Sequence, residues 1–170
     1  MKKLFIFLSF FLMLSCTAKR IAVLRIPETS FARYIGVEIA DFCVKTPTIV
    51  PRDVLLKIPD EIAIKLKNTH LFSHVVRYIT PQKDKTLVIR GIITQFQPGS
   101  RIKRGLCLGL EHIGAGYVTV RISFFDKQTQ RKIAELDVES QVNWGLTGGN
   151  LEVCYQKIAQ EVVKFIKFYY

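Results

Sequence analysis

Catalysis needs a nucleophile, an acid and a base, or a set of metal ligands, brought to one place. The 170 residues contain three histidines and four cysteines. His70 and His74 straddle a predicted helix end and strand start, so the i, i+4 geometry of a helical metal pair does not hold across them. None of Cys16, Cys43, Cys107 and Cys154 lies in a C-x-x-C spacing, which leaves metal and redox motifs without support. Asp126, Glu135 and Asp137 lie on or near a predicted hairpin, and Asp126 sits in its turn, where aspartate is expected. Ser100 and Ser123 lack the context of a nucleophile elbow. The residues point away from an enzyme, and they call for no metal or cofactor.

One cysteine stands apart. Met1-Lys2-Lys3 precedes an apolar run from Leu4 to Leu14, broken only by Ser9, and Ser15 then leads into Cys16. A charged start, a short apolar run and a small residue before the cut make a bacterial export signal. The run is about half of the ~20 apolar residues that a spanning helix needs. The stretch Leu12-Met13-Leu14-Ser15-Cys16 resembles a lipobox. There the thiol receives a diacylglycerol, the signal is cut off before the cysteine, and the new amino terminus is acylated, with palmitate as a typical chain. The alternative is an ordinary signal peptide with a chance cysteine. The expected division is residues 1–15 as lipoprotein signal, 16–30 as lipidated N-terminus with a short lead strand and linker, and 31–170 as one periplasmic domain.

Loss of residues 1–15 removes Lys2 and Lys3 and leaves +9 of the formal +11 charge. A basic balance fits nucleic acid, anionic lipid or acidic partners, and export argues against nucleic acid. Lys19 and Arg20, beside the anchor, are best placed to lie against anionic headgroups. Three cysteines remain after Cys16, and three cannot all pair within one chain. Cys43 and Cys154 fall in apolar-periodic segments and read as small core residues, although an oxidising compartment would allow a bond between them.

The periodicity places these features on an α/β (α+β) sandwich. Strand character runs over 20–26, 33–44, 73–80, 86–97, 117–125 and 132–142. A helix follows Asp53, with a kink at Pro59 and its main part from Pro59 to Asn68. Gly91 marks a bulge or a close packing point, and 126–131 is a hairpin loop. A last helix runs from an Asn150 cap to about Tyr169. After the lead strand the order is β-α-β-β-β-β-α. The expectation is a mostly antiparallel sheet of about four to five strands, with both helices packed on one face.

The stretch from Pro98 to Gly116 is far longer than a hairpin needs. It mixes Arg101, Lys103 and Arg104 with apolar Leu106, Leu108 and Leu110 among glycines. Its glycines fit neither a phosphate loop nor the dinucleotide fingerprint. Those six residues are the candidate contact with a membrane or a partner protein; the alternative is a loop folded onto its own sheet edge.

Beyond the lipobox, the chain carries Val37-Glu38-Ile39-Ala40-Asp41-Phe42, Val50-Pro51, Ile62-Ala63 with Leu66 and Phe72, and Phe96-Gln97-Pro98-Gly99-Ser100-Arg101. A Gly-Ala-Gly precedes Val118-Thr119-Val120, Phe125-Asp126 ends that strand, and a Gly-Gly precedes the final helix. Together these resemble uncharacterised bacterial envelope lipoproteins grouped as a domain of unknown function, which are similar to the periplasmic domain of curli-secretion-channel (CsgG-like) lipoproteins. The family's hairpin loop usually carries a glycine where this chain has Gln130, and the chain is too short for the long membrane-spanning hairpins of the channel, which argues against a pore. The resemblance implies an α/β sandwich, an outer-membrane lipid anchor facing the periplasm and no known reaction. The functional expectation is an accessory or assembly factor that binds envelope proteins, with a ring-forming component of a secretion or transport system as the alternative. Its partners would be the membrane through its lipid, other envelope proteins or itself, and no nucleic acid.

Overall fold

The computed structural model describes residues 17–45, 47, 49–81, 85–98, 116–141 and 151–170. They form β1 (Thr17–Arg25), β2 (Gly36–Ile39), β3 (Cys43–Val44), α1 (Arg52–Lys67), β4 (His74–Val76), β5 (Thr86–Pro98), β6 (Gly116–Asp126), β7 (Lys132–Gln141) and α2 (Leu151–Phe168). The strand order is β1-β7-β6-β5-β2-β4, with β3 continuing the line of β2 along β5. Seven strands stand where four to five were expected, and the expected order is met only roughly. One half of the sheet is antiparallel, through β1–β7, β7–β6 and β6–β5. The other half is parallel, through the short pairings β2–β4, β2–β5 and β3–β5; the paired residues are mostly antiparallel, as expected, but this parallel part was not foreseen. The reason is the crossover: α1 returns the chain from β3 to the start of β4, and strands joined by a crossover helix run parallel.

Both helices pack against one face of the sheet and against each other. Ile58, Ile62 and Leu66 of α1 and Ile158, Val162 and Ile166 of α2 recur at helical spacing and are fully buried. They meet Leu87, Ile89 and Ile93 of β5, the alternating Val118, Val120, Ile122 and Phe124 of β6, and Leu136 and Val138 of β7. The Phe124 ring stacks on Phe165 at 5.4 Å between centroids, and Phe31 packs against Phe124 at 5.5 Å.

Three local expectations change. The strand at 33–44 divides in two, because Phe42 turns inward and its ring covers Gly91 on β5. A Cβ at Gly91 would lie 2.3 Å from that ring, so Gly91 is a packing point, while the bulge of β5 falls between Ile93 and Gln95. Cys43, next along, is therefore exposed rather than in the core, Cys154 is buried, and no disulfide joins them. The short first turn and the main helix expected from Pro59 are one helix from Arg52 to Lys67 with Pro59 inside it. Proline has no N–H for the carbonyl four residues back, and here the Phe42 N–H donates to that Leu55 carbonyl at 3.4 Å. The strand at 73–80 shrinks to His74–Val76. Since β4 and β5 are parallel with β2 between them, the chain after Val76 must cross β2 to begin β5. It carries no helix among the described residues.

The hairpin after β6 has Gln130 at φ 57°, the left-handed region where an L side chain costs roughly 1–2 kcal/mol. The Gln130 Nε2 donates to the Lys127 carbonyl at 2.7 Å and recovers part of that. Gln130→Gly should therefore raise stability by about 1 kcal/mol or less, read as a small rise in the thermal midpoint. A fall of similar size would show that the side-chain bond outweighs the strain.

Candidate interaction surface

The sheet face away from the helices carries the polar chemistry of the described residues. Glu38 points to this face from β2, and the crossing segment 77–81 covers it. The Thr80 hydroxyl donates to Glu38 Oε1 at 2.6 Å and the Thr80 N–H to Oε2 at 3.2 Å. Lys127, at the hairpin, reaches in and donates to Glu38 Oε1 and to Thr80 Oγ1, both at 2.5 Å. Glu38 is 1% exposed and Lys127 3%. A buried charge persists only when paired and hydrogen-bonded, and this pair fastens the crossover to the hairpin. Beside it, Arg77 donates to Asp60 at 2.6 Å, to the Ile39 carbonyl at 2.6 Å and to Asp41 at 2.9 Å. That ties the crossover to α1 and β2.

Asp126 does more than shape a turn. Its Oδ1 accepts from the Thr129 N–H at 2.9 Å and the Thr129 hydroxyl at 3.1 Å, and its Oδ2 accepts from the Tyr34 hydroxyl at 3.0 Å. Burial acts to raise the Asp126 carboxyl, but these donors and the nearby Arg33 outweigh it and hold it below its ordinary value. Burial, then the Asp126 bond, pushes Tyr34 up to about 12. A carboxyl lowered on folding adds stability above its unfolded pKa and loses it as pH falls through the folded value. Asp126→Asn should therefore flatten the acid limb of stability, as pH falls through and below the ordinary carboxylate range, measured by urea midpoints; an unchanged acid limb would count against the assignment.

Farther along the same face, Arg121 forks onto Asp137 with both bonds at 2.8 Å. Glu135 accepts from Ser123 at 2.6 Å and from Lys132 at 2.5 Å. Arg90 lies over the Phe125 ring at 5.2 Å. Asp126, Glu135 and Asp137, weighed above as an acid set, are thus each committed to a separate structural partner. His74 lies over Gly36. Among the described residues no group of three His, Cys, Asp or Glu side chains could hold a metal ion, and no helix is long and apolar enough to cross a membrane. A cleft of about 330 Å³ lies between the C-terminal halves of the helices, lined by Lys65, Asn68, Gln160, Lys164 and Lys167 among others.

The remaining surface of note is the β1 edge. β1 pairs only with β7, so its outer backbone groups have no strand partner among the described residues. Ile21 and Val23 stand opposite Val138 and Leu136 on the helix side, yet they are 46% and 45% exposed. Leu24 and Ile26 are also exposed.

The residues singled out from sequence, Cys16 and the contact set Arg101, Lys103, Arg104, Leu106, Leu108 and Leu110, lie outside the described residues, as does Asn150. The Glu38–Lys127–Thr80 cluster and the Tyr34–Asp126 pair were not anticipated. A lone acid between Val37 and Ile39 was the available signal for the first.

No curated protein matches the chain in sequence. Among solved structures, PelC from Paraburkholderia phytofirmans, a dodecamer, is similar with a TM-score of 0.63 at 12% identity, over 86% of this chain and 98% of that one. Protein XCC0632 from Xanthomonas campestris, of the family DUF330, has a TM-score of 0.51 at 9% identity, over 86% and 89%. Protein CT253 from Chlamydia trachomatis has a TM-score of 0.51 at 10% identity, over 79% and 96%. At these identities the likeness is one of fold. The family model described as Domain of unknown function (DUF4410) matches residues 47–145, more than half of the chain, and the protein belongs to that family.

Proposed function

We propose that this protein is a lipid-anchored, periplasm-facing envelope domain that works by binding proteins rather than by catalysis, and that its first partner is a further copy of itself. The observation that carries this reading is the β1 edge. An edge strand of nine residues exposing Ile21, Val23 and Leu24 is a template for association unless something covers it. The dodecameric state of PelC, a protein of the same fold, supports a ring, as does the resemblance to the curli-channel domain. The acyl chains on Cys16 would hold the copies on one surface and raise their effective concentration.

The test is the mass of the lipidated protein in mild detergent. The expected result is a closed oligomer that Ile21→Lys with Val23→Lys converts to monomer while the thermal midpoint stays nearly constant, since both side chains are half exposed. A wild-type monomer at native concentrations would overturn self-assembly. An in-cell crosslink beside Cys16→Ala reads the broader claim: a partner other than itself, lost in the variant, would favour an accessory factor of a larger machine, the second reading that the resemblance allows.

A further inference from the structure

The strand register fixes which end of the domain the N-terminus occupies. Thr17, the neighbour of Cys16, pairs with Gln141; Gln141 pairs with Tyr117, and Tyr117 with Gln97. These residues lie in one row across the end of the sheet. β3 points the same way, with the Lys45 N–H donating to the Ile93 carbonyl at 2.8 Å. The described residues between Lys45 and the start of α1 at Arg52, Ile49 among them, therefore lie at this end too. The opposite end carries the 126–131 hairpin, Tyr34 and the last turn of α2, where the Phe31 N–H donates to the Tyr169 carbonyl at 2.9 Å.

We infer that this row is a membrane-facing rim, and that Ile49, flanked by Lys45 and Arg52, inserts at an anionic lipid surface as a second contact beside the acyl anchor. The inference rests on the reading of Cys16 as lipidated. Ile49 is 91% exposed, more than any other large apolar residue described. A single exposed apolar side chain is ordinary, but this one lies between two cations with no ion-pair partner among the described residues. An apolar tip with a basic flank is the combination that sits at the headgroup boundary. Arg20, at the anchor side of the same end, adds a third cation. The carboxylates at this end are Glu139, opposite Arg20 in the register, Glu152, which accepts from Lys57 at 2.8 Å, and Asp53 in the first turn of α1.

Geometry makes the two contacts act together. β1 starts at Thr17, so no linker separates the anchor from the sheet. From β1 across β7, β6 and β5 to β3 there are four strand spacings, or about 20 Å at ~4.8 Å each. Two points that far apart resist tilting as a single anchor does not. The strands then stand steeply on the surface, and the 126–131 hairpin is held about 30 Å away from it, given nine residues in β1 at ~3.3 Å each.

The test uses the full lipidated protein in vesicles of phosphatidylethanolamine and phosphatidylglycerol that contain brominated chains. A fluorescent amino acid is placed at Ile49 or, in a second sample, at Gln128, both exposed. The mass of the N-terminal peptide reports acylation in each sample. The expected result is several-fold stronger quenching at 49 than at 128, reduced when Lys45→Glu and Arg52→Glu are introduced. Equal quenching at both positions, or stronger quenching at 128, overturns the rim. An acylated peptide with no quenching at 49 overturns the rim and leaves the anchor standing. A peptide without acyl mass removes both.

Discussion

Lys127→Met should cost about 3–5 kcal/mol, because it leaves the Glu38 carboxylate buried without its cation. The two side chains are 4% and 2% exposed and 2.5 Å apart, so water cannot readily take the place of the ammonium. What remains around Glu38 is the Thr80 hydroxyl and N–H, too little to hold a full charge in that setting. Urea unfolding of the two proteins at neutral pH measures the difference. The companion variant, Lys127→Met with Glu38→Leu, should recover most of the loss, since replacing a buried pair by apolar side chains of similar size is often neutral. A single-variant loss below about 1 kcal/mol would mean that water reaches Glu38 and that the crossover is not fastened by this pair.

Gly91→Val should cost about 3 kcal/mol through overpacking. A Cβ at this position would meet three atoms of the Phe42 ring at 2.3–2.4 Å, closer than side chains approach. The ring has little room to step aside, because Phe42 is buried in the core at 4% exposure. Phe42→Ala opens a cavity and is destabilising by itself, but combined with Gly91→Val it should cost well under the sum of the two. A double-mutant cycle reads that coupling. Strict additivity would show that the clash lies elsewhere.

The β5–β6–β7 meander and the two helices were legible because each is long and strictly periodic. Apolar residues alternate from Val118 to Phe124, and α2 repeats its stripe from Cys154 to Ile166. The 126–131 loop falls where a polar turn between two such runs must fall. In the parallel half the strands were legible, within 33–44 and 73–80, but their direction was not, and β4 keeps only three residues. Whether a strand runs parallel or antiparallel depends on the path of its connection, which periodicity does not record. Pro59 suggested a divided helix because a proline leaves the carbonyl four residues back without its intrahelical donor; the donor that serves it is Phe42, 17 residues before Pro59. The polar cluster was hidden because Glu38, Thr80 and Lys127 lie far apart in the chain and meet only through the crossover. Cys43 read as a core residue because its segment is apolar, but Phe42 takes the inward position.

The pairing of β1 with β7 has a consequence for how the molecule comes to be folded. Thr17 meets Gln141 and Arg25 meets Glu135, so the first strand finds its partner only after more than a hundred further residues have been delivered. Long-range pairing of this kind is slow, because loop-closure entropy is spent before the contact rewards it. A chain made from its N-terminus presents this strand through most of its synthesis, with nothing yet there to receive it. If the hairpin β6–β7 folds first, β1 is the last strand to dock. The same docking step that completes the sheet would then draw the N-terminus against the domain, and a destabilised β7 would leave the chain with its sticky edge uncovered.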